Sequence, residues 1–144
     1  MTMSELHLQQ EQFTNAKRWL KVQGILSIIF GALGTLFAAP LAFFYSIGIT
    51  AELATEMPGL ESEIGPVVFI IVLIVGLILW LIPHLFLIVS GALLARGPKP
   101  GVAKGLTITN LIIGAMWNYL ILAFAIVSLV QSGNYARGYV HHKK

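Results

Sequence analysis

The stretch Ile64–Ala95, IGPVVFIIVLIVGLILWLIPHLFLIVSGALLA, decides the fold: 32 residues without one charged side chain. A helix on the surface of a water-soluble core needs a polar outer face, and this tract has none. From Pro66 to Ala95 it makes one helix about 45 Å long at 1.5 Å per residue, so it must tilt, kink or protrude from a hydrocarbon core of about 30 Å. It is too short for two spans of about 20 residues each. Outward from it lie two more tracts free of charge, Val22–Ala51 and Gly105–Ala136. The nine Lys and Arg and the six Glu all fall in the remaining segments, and the chain has no Asp and no Cys. Charged residues are only 10% of the 144, where soluble domains average about 25%.

These patterns predict an all-α integral membrane protein. Its three transmembrane helices fall at 22–48, 66–95 and 106–131. A short amphipathic helix at 1–21 precedes them. An acidic external loop (49–65) and a basic cytoplasmic loop (96–105) connect them, and a basic tail (132–144) ends the chain. In the first 21 residues, Thr2 and Glu5 fit a capping box. Leu6, Phe13, Ala16 and Leu20 form one face, which the sequence reading lays on the membrane surface. Lys17, Arg18, Trp19 and Lys21 mark the headgroup boundary.

Small residues line one side of the first span. Gly24, Ser27, Gly31, Gly34 and Ala38 recur at spacings of 3 and 4, and large residues such as Phe30, Leu33, Phe37 and Phe44 take most of the rest. Lipid gives helices little hydrophobic reason to associate, so they pair where small side chains let backbones approach. This face is therefore the expected helix-packing face. Pro40 and Pro83 are the two places where a span loses a backbone donor, and a kink is expected near Pro83.

The candidate intramembrane polar site is His84 with Asn118 and Asn110. Polar groups are costly against lipid, so the third-span face with Thr107, Asn110, Gly114, Asn118, Ala125 and Ser128 should look into the bundle. A short 96–105 connection makes the second and third spans antiparallel neighbours. That register sets Gly91 level with Asn110 and His84 level with Asn118. A bond between the imidazole and the Asn118 amide, direct or through water, is the expectation.

Other chemistry finds little footing. No cysteine means no disulfide and no thiolate ligand. The segment RGPKPGVAK (96–104) has glycines and lysines, but Gly105 stands where a phosphate loop needs Ser or Thr, so no nucleotide is expected. The four carboxylates Glu52, Glu56, Glu61 and Glu63 match no cation loop and read as a solvated acidic segment. His141 and His142 read as part of a basic end rather than a metal site. The basic residues flank spans, which makes them topology signals and contacts for lipid phosphates rather than a nucleic-acid stripe. They are Lys17, Arg18, Lys21, Arg96, Lys99 and Lys104 on one side. Arg137, Lys143 and Lys144 would fall on the other. Six against three places the N-terminus in the cytoplasm and the C-terminus outside, in the inner membrane of a bacterial cell. The three tail cations would prefer the cytoplasm, which an odd number of spans denies them.

The function expected from these residues is non-enzymatic. The chain reads as an accessory, assembly or immunity-type subunit, with no cofactor, packing in the lipid bilayer against a larger membrane protein or against itself. The alternative is a homo-oligomeric channel, holin-like pore or small transporter that uses His84 and the Asn-bearing face.

Overall fold

The computed structural model describes residues 2–59 and 64–142. Among them all regular structure is helical: α1 (Met3–Glu56), α2 (Gly65–Ala95), α3 (Pro100–Trp117) and α4 (Tyr119–His142). Three of these, α1, α2 and α4, are long and apolar enough to cross a membrane. The chain divides into two compact units, Met1–Phe30 with Leu87–Lys144, and Gly31–Phe86. Both α1 and α2 contribute to each unit.

The first unit corrects the expected third span. The charge-free tract Gly105–Ala136 is not one helix; it folds back at Asn118 into the antiparallel pair α3 and α4. The Asn118 amide closes α3 by donating to Gly114 O (2.8 Å), and the Asn118 carbonyl opens α4 by accepting from Leu122 N (3.1 Å). Its side-chain Oδ1 accepts from Leu120 N (3.0 Å) and Ile121 N (3.4 Å), so it satisfies two amides in the first turn of α4. Asn118 itself is extended (φ −152°, ψ 101°). One residue thus serves as the end of one helix and the cap of the next. Gly114 makes the sharp turn possible, because a Cβ there would lie 2.6 Å from Leu122 N. At the far end of the pair, the Tyr135 hydroxyl donates to Pro98 O (2.7 Å).

The N-terminal segment is also different from its expected form. It is continuous with the first span in α1, started by the reciprocal bonds Thr2 N to Glu5 Oε2 (2.8 Å) and Glu5 N to Thr2 Oγ1 (3.4 Å). Of its apolar face, Leu6 is exposed, while Phe13, Ala16 and Leu20 are covered by protein. Phe13, Ala16 and Leu20 form a core with Leu94, Ala103 and Tyr135, and the rings of Phe13 and Tyr135 stack at 5.7 Å. The C-terminal residues therefore pack beside the N-terminal ones and beside the turn at Gly97 and Pro98. The chain turns round at Asn118 and comes back.

Smaller boundaries move too. Helix α1 runs on to Glu56, because no Pro or Gly occurs between Gly48 and Pro58, and Gly59 takes a positive φ of 107°. Residues 49–56 of the expected loop are therefore helical. The basic connection is shorter than expected, with Gly97 at φ +70° and Pro100 opening α3. Residues 132–142 of the expected tail belong to α4. Helix α2 continues through Pro83, and α1 through Pro40.

The second unit, Gly31–Phe86, consists of the later part of α1 and the earlier part of α2. Its seam is made of small residues: Ala38 and Ala42 are buried, and a Cβ on Gly76 would touch the Ala42 methyl. Phe43 and Phe69 meet edge to face at 5.8 Å. The large side chains Leu36, Phe44, Tyr45, Leu79 and Ile82 are all exposed.

Candidate functional site

The interior of the first unit holds a ladder of polar side chains. Asn110 is its centre and is wholly buried. Its Oδ1 accepts from Ser90 Oγ (2.7 Å), one residue from the Gly91 that hairpin register sets level with it. Its Nδ2 donates to Ser27 Oγ (3.2 Å). One turn toward the chain ends, Thr107 Oγ1 donates to Gln23 Oε1 (3.4 Å), and Ser128 Oγ donates to Trp19 O (3.5 Å). Side chains from α1, α2 and α3 therefore meet at Asn110, and α4 joins through Ser128. The spacing explains the assembly. Phe13, Ala16, Leu20, Gln23 and Ser27 advance by 3 and 4 along α1, so one face carries an apolar half followed by a polar half.

Backbone contact accompanies the ladder. A Cβ on Gly24 would lie 2.6 Å from Gly91 O, and one on Gly91 would run into Gly24 O. Each glycine is the space the other helix occupies. Beyond this crossing, Phe30 packs on Leu87, Ile113 and Ile121.

In the second unit His84 sits on Gly34. A Cβ at Gly34 would collide with the imidazole at Cδ2. His84 stacks on Trp80 (4.8 Å between centroids) and its Nδ1 bonds Trp80 O at 2.7 Å. A carbonyl only accepts, so Nδ1 is the donor in this bond. Trp80 Nε1 donates to Gly34 O (2.8 Å). The indole, the imidazole and the glycine carbonyl together close α1 against α2.

The residues singled out by sequence are thus distributed as follows. Gly24 and Ser27 are buried in the first unit; Gly31 and Ala38 are buried and Gly34 half-buried in the second. Asn110 is in the ladder. His84 and Asn118 belong to different units. His84 bonds Trp80, and Asn118 Oδ1 is occupied by the first turn of α4, because the chain turns there. Lys17, Arg18, Lys21, Arg96, Lys99 and Lys104 are all exposed. Glu61, Glu63, Lys143, Lys144 and the side chains of His141 and His142 lie outside the described residues. Among the described residues no three acidic or His side chains gather to hold a metal ion.

Comparison of the chain with family models, with curated proteins and with solved structures gives no match. What the arrangement can do follows from its own geometry. The ladder joins helices, since the amide of Asn110 is bonded at both ends. The sequence reading missed Gln23 and Trp80. Gln23 was legible as the residue one turn before Ser27 on the small face, and Trp80 as the residue one turn before His84.

Proposed function

We propose that this protein is a non-enzymatic accessory subunit of a bacterial inner membrane, packing its second unit against a larger membrane protein. The observation that carries the reading is the makeup of that unit. Two helices use small residues against each other and leave Leu36, Phe44, Tyr45, Leu79 and Ile82 outward. Lipid or protein can cover such a surface, and helix faces that pack on protein do so by shape. Photo-crosslinkers placed one at a time at Phe44 and Leu79 in living cells test it. The reading expects a discrete adduct with one other membrane protein. Adducts with lipid alone from both positions would overturn it.

The channel or transporter alternative draws on His84 and the Asn face. The bonding of Asn110 to Ser27 and Ser90, deep in the first unit, favours glue over a conducting path.

The fold-back supports one orientation in the membrane. Helix α1 carries the chain across between Lys21 and Glu52, and α2 carries it back before Arg96. From Lys104 the pair α3–α4 enters again. Between Lys104 and the turn at Asn118 are 13 residues, about 20 Å of helix, short of a core of about 30 Å. This supports a re-entrant hairpin that returns to the side it left. All nine Lys and Arg then share the cytoplasmic side with both termini, and Glu52, Glu56, Glu61 and Glu63 lie outside. Such a distribution obeys the positive-inside rule without exception.

A further inference from the structure

In the first unit, two separate segments bring like charges together. Along α1, Lys17, Lys21 and Gly24 advance by 4 and 3 and share one stripe. Gly24 meets the end of α2, where its added Cβ would lie 2.9 Å from Ala95 N. Lys17 meets the turn beyond, with its Cε 3.8 Å from where a Cβ on Gly97 would be. Lys21 lies between them on the stripe, and Arg96 between Ala95 and Gly97 in the facing segment. Lys99 follows in the same connection. That connection is held in place: Gly97 takes a φ of +70°, and the Tyr135 hydroxyl donates to Pro98 O (2.7 Å). All four cations are exposed, and none has a hydrogen bond or ion pair among the described residues. Like charges one helical turn apart repel, as Lys17 and Lys21 do. The first unit has only two Glu to answer them. Glu5 accepts the capping bond from Thr2 N. Glu11 lies about 9 Å before Lys17 along α1 and about a third of a turn round it.

We propose that Lys17, Lys21, Arg96 and Lys99 form a seat for the headgroup of an acidic phospholipid. Depth selects this anion. Lys21 stands just before the charge-free tract Val22–Ala51, and Arg96 just after Ile64–Ala95. Both mark the level where hydrocarbon gives way to headgroups, which is the level of lipid phosphates. A lipid phosphate there supplies the charge that both segments lack, and so favours their packing. A zwitterionic headgroup carries its own ammonium beside the phosphate and neutralises the cluster less well. The seat lies in the first unit and is independent of what the second unit packs against.

The test is native mass spectrometry of the full-length protein in a neutral maltoside detergent, titrated with dioleoyl phosphatidylglycerol or dioleoyl phosphatidylcholine. The acidic lipid should be retained about tenfold more tightly, the scale of one to two cations at an anionic surface. Lys17→Gln with Lys21→Gln should abolish that preference. Arg96→Gln with Lys99→Gln should abolish it too, since the seat needs both segments. Arg18→Gln with Arg137→Gln removes the same charge elsewhere in the first unit and should leave the preference nearly unchanged. In lipid-free detergent both seat variants should be at least as heat-stable as the natural chain, because each removes a repulsion, so lost retention reads the seat and not the fold. Equal retention of the two lipids would overturn the proposal. Equal loss from all three pairs would also overturn it, in favour of a diffuse belt of charge, as would a loss confined to one of the two seat pairs. Displacement of the bound lipid by millimolar glycerol phosphate would overturn it by showing a site for soluble phosphates.

Discussion

Gly24 and Gly91 are each the only side chain their position admits, because each faces the other's carbonyl. Substituting Gly91→Ala should cost about 1–3 kcal/mol, the usual penalty for forcing a methyl into a filled contact. Gly48 is the control: it is helical with nothing within 4 Å of an added Cβ. Gly48→Ala should be neutral or stabilising by up to about 1 kcal/mol, from helix propensity alone. Unfolding by steric trapping in bicelles measures both, and equal effects would refute the crossing. Asn110→Ala should cost about 1 kcal/mol, because Ser90 and Ser27 lose a shared partner while the membrane-unfolded chain finds others. These contacts were half legible. The spacing of Gly24 and Ser27 shows which face is small, and the Asn in a span shows that something must answer it. Which serines answer depends on how the helices cross, which spacing does not reveal.

At the scale of elements, the hairpin α3–α4 turns on Asn118. Removing its cap with Asn118→Ala should destabilise the first unit by about 1 kcal/mol, and Asn118→Ser should restore most of the loss. The depth of the turn is testable with a single cysteine at Tyr119, which is exposed beside it. An impermeant thiol reagent added outside the cell should fail to label Tyr119→Cys while labelling Thr55→Cys. Labelling of both would mean that α3 and α4 cross fully. The turn escaped the sequence reading for a physical reason. Gly105–Ala136 has no charge and no proline, so its length and apolarity match one span better than two short arms. The hidden signal was Asn118 itself, a cap former with aromatic neighbours Trp117 and Tyr119. By contrast α2 was legible almost to the residue, since Pro66 and Arg96 bracket an unbroken apolar run.

Across the whole molecule, the turn at Asn118 bears on a conflict of charge. Three complete crossings would strand Arg137, Lys143 and Lys144 outside, against the preference of basic residues for the cytoplasm. Folding the third tract back at Asn118 brings Tyr135 to Pro98 and Phe13, and Arg137 lies two residues further along the same helix. The side of the C-terminus is therefore the quantity on which the account turns. A fluorescent protein that matures only in the cytoplasm and a phosphatase active only outside, each fused after Lys144 and expressed in bacteria, read it directly. The account predicts bright fluorescence and an inactive phosphatase. An active phosphatase with a dark fluorescent fusion would contradict it and restore a single third crossing.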